Sequence, residues 1–130
     1  MLTTPPTGDI PEGPLRIGDV AELTGLSLRS IRHYEELGIV MPARRTSGGF
    51  REYDSEAVER LRLIMQLRVA GIGLDQVGTI VDACRAMETG GKAEGLAEAI
   101  VELDSAVAEL ERRLEVARSV RARLGGSPRG

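Results

Sequence analysis

Apolar residues recur along the chain in four short helical patterns and one long one, separated by glycine-containing breaks. The first pattern spans about Ile17–Thr24, with Val20, Ala21 and Leu23 apolar. Gly25 ends it, because glycine accepts the left-handed conformation that terminates helices. Ser27 is suited to cap the next helix, Leu28–Leu37, which stops at Gly38. Asp54 caps a third helix reaching about Ala70, with Val58, Leu61, Ile64, Met65 and Leu67 as its apolar positions. Beyond the Gly71/Gly73 break, a fourth helix runs from Leu74 to about Met87. Its Val77, Ile80, Val81 and Cys84 form one stripe at i, i+3, i+4, i+7.

The last pattern, from about Gly95 to Leu124, has a different rhythm. Leu96, Ile100, Leu103, Val107, Leu110, Leu114 and Ala117 alternate spacings of four and three, and Leu124 returns to the same seam. A 3.5-residue period held over about four heptads predicts a coiled coil. Such a helix projects beyond a small globule. Its seam calls for a second chain, folding back on its own chain being the alternative.

Two short helices around a tight glycine-containing turn form a helix-turn-helix, or else an ordinary helical hairpin. The second helix carries more information. At the helical period, Arg29, Arg32, His33 and Glu36 fall within one arc of about 100°. Ile31 and Leu28 are expected on the opposite, apolar face, with Tyr34 toward its rim. A guanidinium can bind phosphate or grip guanine at two acceptors, so this is a suitable recognition surface. Between Pro42 and Tyr53, Ser47-Gly48-Gly49 marks a turn flanked by stretches able to pair as strands, with Arg44, Arg45 and Arg51 around it. A basic hairpin beside a recognition helix is a wing, suited to the phosphate backbone or minor groove. The chain's three aromatics, Tyr34, Phe50 and Tyr53, all lie in this region. Phe50 and Tyr53 are candidates for DNA contact or for wing core, and core is the preferred reading for Phe50.

Composition changes the picture in three ways. The net charge of −3 is unevenly placed: residues 26–51 hold five arginines against two glutamates, whereas 74–124 hold seven cations against ten anions. Placement of charge bears on nucleic-acid binding more than the total does. The single cysteine, Cys84, excludes an internal disulfide and any multi-cysteine metal site, and fits a reducing cytoplasm. It reads as a small packed hydrophobe, with a redox or metal thiol as the sharper alternative. No catalytic constellation or phosphate loop is present, so no enzyme and no cofactor are expected. Residues 1–14 carry four prolines and neither a basic start nor an apolar core; they are expected to be a flexible tail, as is 125–130. No apolar run approaches the roughly 18 residues of a membrane span, and a soluble, cytoplasmic protein is expected.

Arg16-Ile-Gly-Asp-Val-Ala-Glu-Leu-Thr-Gly25, Ser27-Leu-Arg-Ser-Ile-Arg-His-Tyr-Glu-Glu-Leu-Gly38, Gly48-Gly-Phe-Arg-Glu-Tyr-Asp54, Val58-Glu-Arg-Leu and Ala70-Gly-Ile-Gly-Leu-Asp-Gln-Val77 follow one another in an order and spacing that resemble the MerR family of transcription regulators. The resemblance covers about 15–87 by motif and 95–124 by architecture. It implies a mostly α fold: a winged helix-turn-helix DNA-binding domain with a small β-hairpin wing over 15–87, then a long coiled-coil dimerisation helix over 95–124. It further implies a homodimer with antiparallel long helices, bound to a pseudo-palindromic promoter site. Such a regulator distorts promoter DNA so that RNA polymerase engages both promoter elements, which makes deformation energy the switch. DNA-binding residues on this reading are Ser27, Arg29, Arg32, His33, Tyr34, Arg44, Arg45, Gly49, Phe50, Arg51 and Tyr53. His33 departs from the family's usual tyrosine. Cysteines found in metal-sensing members around the dimer helix are missing, and the chain resembles a short form without a separate effector domain; the effector is unknown. A DNA-architectural or excisionase-like winged-helix protein is the alternative, and a protein-interaction adaptor a third, disfavoured by the arginines of helix two and the wing.

Overall fold

The computed structural model describes residues 9–125. Five helices and one hairpin follow in the order α1 (Ile17–Thr24), α2 (Leu28–Glu36), β1 (Arg44–Arg45), β2 (Arg51–Glu52), α3 (Ser55–Val69), α4 (Leu74–Glu88) and α5 (Leu96–Arg123). Residues 1–8 and 126–130 of the expected tails lie outside the described residues. Within the rest of the N-terminal stretch, Ile10 packs against the core.

Local chemistry sets the boundaries. Gly25, at φ +78°, closes α1 by donating its N–H to the Ala21 carbonyl. The fully buried Thr24 hydroxyl donates to the Val20 carbonyl at 2.8 Å and accepts from the Leu26 N–H at 3.2 Å. That double engagement fixes the α1–α2 turn. The Ser27 hydroxyl accepts from the Ser30 N–H at 3.1 Å, and Asp54 caps α3 through the Ala57 N–H at 3.1 Å.

One core joins all these elements. Val20 of α1, Ile31 of α2, Val58, Leu61 and Ile64 of α3, and Val77, Ile80 and Val81 of α4 are wholly buried. Leu28, expected beside Ile31, is instead 41% exposed, so α2 buries a single side chain completely. Cys84 lies at the margin of the α4 stripe, half-buried, while its neighbour Ala83 is the buried residue. Burial and the nearby Glu88 carboxylate push the Cys84 thiol up from its ordinary range. A raised pKa leaves less of the reactive thiolate.

Polar side chains of α3 tie the helices together. Arg62, itself buried, donates to the Leu23 carbonyl near the end of α1. Arg60 donates to the Ile39 carbonyl at 2.8 Å and to Asp82 of α4 at 2.6 Å. Arg85 of α4 returns to Glu56 of α3 through both Nε and a terminal nitrogen. At its start α5 rests on this body through the buried Ala99 and the partly buried Leu96, Leu103 and Ala106. From Val107 on, every described residue but Glu109 is exposed.

The Arg85 hydrogen bonds hold the Glu56 carboxyl below its usual 4.5. A carboxyl depressed by folding stabilises the protein above its unfolded pKa, and that contribution is lost as pH falls through the folded value. Glu56→Gln should therefore lower the thermal midpoint modestly at neutral pH, since the pair is partly solvated. The difference from wild type should begin to shrink as pH drops below about 4.5 and should vanish only below the depressed folded value, measured by circular dichroism melts across a pH series.

Candidate nucleic-acid interface

The exposed face of α2 presents Arg29, Arg32, His33 and Glu36 to solvent, as the helical period predicts. Tyr34 is half-buried against the core, and its carbonyl accepts the Ile39 N–H. Ser27 is exposed at the head of the helix, but its hydroxyl is engaged with Ser30.

The wing is an antiparallel pair with Arg44 opposite Glu52 and Arg45 opposite Arg51. Gly49 turns it at φ +84°, donating to the Thr46 carbonyl, while the Thr46 hydroxyl accepts from the Phe50 N–H. A side chain at Gly49 would be strained in that conformation. Below the hairpin, Leu15 and Tyr53 exchange two backbone hydrogen bonds of 2.9 and 2.7 Å, which fasten the wing's base to the segment leading into α1.

Because side chains alternate across a strand, the three wing arginines do not share a face. Arg44 pairs with Glu52 at 2.6 Å on one side. Arg45 and Arg51 lie on the other, where both join Arg32 in lining two adjoining clefts of about 340 and 270 Å³ between α2 and the wing. Like charges directly opposite on a hairpin repel. This face of the wing therefore favours an anion, and a phosphate diester is one.

Phe50 departs from its preferred reading, and Tyr53 takes the core role of the two open to it. Phe50, expected as wing core, is 60% exposed, and the Arg16 guanidinium lies 5.1 Å above its ring. Tyr53, expected among the DNA-facing residues, is 1% exposed and belongs to the core. The reason is again alternation: Tyr53 pairs with Leu15 and turns its ring inward. Burial, reinforced by the neighbouring Glu35 carboxylate, pushes its phenol up to about 12. Arg16 was not legible as a site residue. It precedes α1 by one position and reaches the second cleft only because Leu15 is fastened to Tyr53. No group of three potential metal-ligating side chains occurs among the described residues, nor does any helix there have the length and apolarity to cross a membrane.

An arginine-bearing helix beside a basic hairpin is a surface for duplex DNA, and comparison with known proteins agrees. Residues 15–84 match the family described as MerR HTH family regulatory protein. The chain belongs to the MerR family. It is 34% identical over 110 residues to the HTH-type transcriptional regulator CueR of Escherichia coli O157:H7, a match covering 85% of this chain and 78% of CueR. It is 44% identical over 62 residues to nodulation protein NolA of Bradyrhizobium elkanii, but that match spans 28% of NolA's length and 48% of this chain. Among solved structures, HiNmlR, a MerR family regulator lacking the sensor domain and bound to promoter DNA, shares the fold. Its TM-score is 0.62 at 18% identity, over 84% of this chain and 80% of that one. This chain is thus a DNA-binding transcription regulator of the MerR family, and not an enzyme.

Arg29→Ala and Arg32→Ala should each weaken sequence-specific binding by about 1–3 kcal/mol where the side chain reads a base. Arg45→Ala and Arg51→Ala should lower affinity for specific and non-specific duplexes alike. For each phosphate left without its arginine, the slope of log affinity against log salt should fall by about 0.9. Arg44→Ala, whose guanidinium is paired away from the clefts, should change the slope least. Fluorescence anisotropy across a salt series distinguishes these outcomes.

Proposed function

We propose that this regulator acts as a homodimer, binds a pseudo-palindromic promoter site in the bacterial cytoplasm, and controls transcription by distorting the DNA between its half-sites for RNA polymerase. The observation that carries the reading is the outer part of α5. Ile100, Val107, Leu110 and Leu114 are each between 42% and 53% exposed, and Leu124 is 82% exposed. Leu96 and Leu103, assigned to the same seam, pack partly on the protein's own body, so Ile100 is exposed between them and the continuous free seam runs from Val107 through Ala117. At about 1.5 Å per residue, the 28-residue helix is about 42 Å long. Among the described residues its outer turns have no tertiary packing, whereas most helical stability in proteins comes from packing an amphipathic face. A second copy supplies the missing surface.

Charge favours the antiparallel arrangement. Residues 94–111 carry six carboxylates and no cation, while 112–124 carry five arginines and one carboxylate. Parallel pairing sets like against like, whereas antiparallel pairing sets the acidic half of one helix beside the basic half of the other. Two recognition helices held at a fixed separation suit two half-sites of a pseudo-palindrome. The long coiled-coil helix favours the regulator over an architectural or excisionase-like protein, since such factors are usually shorter.

Leu110→Asp should convert the dimer to monomers, because an unpaired carboxylate buried between apolar helices costs several kcal/mol. Helices α1–α4 have their own core, so the monomer should keep its fold, retain weak half-site binding and lose tight binding to promoter DNA. Sedimentation at micromolar concentration measures the assembly, and genome-wide mapping of bound sites gives the operator and its spacer. A wild-type monomer that binds promoter DNA tightly would overturn this reading.

A further inference from the structure

Beneath the arginine-lined clefts lies an anion that a DNA-binding surface would ordinarily avoid. Glu35 sits in the last turn of α2, its side chain only 9% exposed. That position is doubly unfavourable. Burial penalises the carboxylate, and the C-terminal end of a helix carries partial negative charge. Its compensation comes from the wing: Arg51 Nε approaches Glu35 Oε1 to 3.6 Å, and the Tyr53 hydroxyl faces the same carboxylate. Glu35 Oε2, Arg51 Nε and Tyr53 Oη are all buried, and none closes a hydrogen bond of good geometry. The Arg51 side chain nonetheless keeps 37% of its exposure and lines both clefts.

We propose that Glu35 is a positioning residue for DNA recognition: it holds the inner edge of the Arg51 guanidinium so that the outer edge, and with it the wing, stands at a fixed offset from the recognition helix. Arg51 is then divided between two anions, the Glu35 carboxylate on its buried side and a DNA phosphate on its open side. A guanidinium suits this division because its donors diverge in one plane, which a lysine ammonium cannot reproduce. Glu35 also offsets the repulsion between Arg45 and Arg51 across the hairpin, which would otherwise splay the free wing. The proposal rests on the reading of the α2–wing clefts as the DNA-facing surface.

Its signature is a sign opposite to that of simple electrostatics. Removing a negative charge beneath a phosphate-binding surface should tighten DNA binding, and more so at low salt. A positioning role predicts the reverse for the preferred sequence alone. The test uses the full chain with two probes: a duplex enriched by the wild-type protein from a random pool, and a scrambled duplex of equal length. Glu35→Gln, which keeps shape and removes charge, should weaken binding to the enriched duplex roughly tenfold, a coupling typical of contacting residues. Binding to the scrambled duplex should stay level or strengthen, so that the specificity ratio falls. In an Arg51→Ala background the same substitution should have no further effect on the enriched duplex. Glu35→Asp, which keeps the charge, should recover part of the specificity ratio. Circular dichroism melts of each variant separate these effects from unfolding, and Tyr53→Phe repeats the test from the other partner if Glu35→Gln fails to fold.

Tighter binding of Glu35→Gln to both duplexes, or additivity with Arg51→Ala, would overturn the positioning role while leaving the interface intact. If Arg51→Ala itself left binding to both duplexes unchanged, the placement of the interface would fall, and this proposal with it.

Discussion

A nine-residue helix that completely buries one isoleucine has to be held by something other than its own apolar face. That constraint on α2 organises the rest of the molecule. At its start, Thr24 and the Ser27 cap fix the entry turn through side-chain hydrogen bonds. At its end, Arg60 reaches from α3 to the Ile39 carbonyl, immediately past the Gly38 break. Along its flank, Tyr34 leans on the core and Glu35 meets the wing. The helix is therefore fixed by its termini and flank, which leaves a polar outer face available for a ligand. Most short amphipathic helices surrender one face to packing and owe their stability to it. Here polar contacts from neighbouring elements supply much of that stability, and the arginines are kept free.

The same logic explains which features were legible in the sequence. All five helices and the turn of the wing follow from period and punctuation: Gly25, Ser27, Asp54 and the Gly48-Gly49 pair act through local backbone chemistry, which needs no knowledge of the fold. The exposed arc of Arg29, Arg32 and His33 follows equally from the helical period. Illegible were the features decided by strand register and by contacts between distant segments. Arg44 and Arg45 are neighbours in sequence, yet they part to opposite faces of the hairpin. Phe50 is exposed where core is the preferred reading, and of the two roles open to Tyr53 it takes the core, drawn inward by its pairing with Leu15, 38 positions away. Arg16 and Glu35 stand inside the family motifs, but nothing local gives either a role; one arrives by way of that same pairing and the other by burial. Leu28 failed for a further reason, since a stripe predicts a direction and says nothing of what stands there to meet it.

Acidic overall composition and a DNA-facing surface are compatible because the charges are segregated. Residues 74–124 carry an excess of three carboxylates over cations, and the cations that face the clefts come from α2, the wing and the residue before α1. Much of the cationic side-chain inventory serves the protein itself: Arg60, Arg62, Arg68 and Arg85 are engaged with carbonyls and carboxylates between helices. Counting positive residues thus overstates the interface.

The wing's base is sewn to Leu15 and its tip is closed by Thr46 and Gly49, so the hairpin has its shape in the absence of DNA. Fixing a loose segment at the moment of contact costs about 1–2 kcal/mol for every residue whose backbone is immobilised. In this protein that entropy is surrendered during folding, where the hydrophobic core offsets it. Association then requires the duplex to find the surface in register, with no conformational search left for the hairpin to perform.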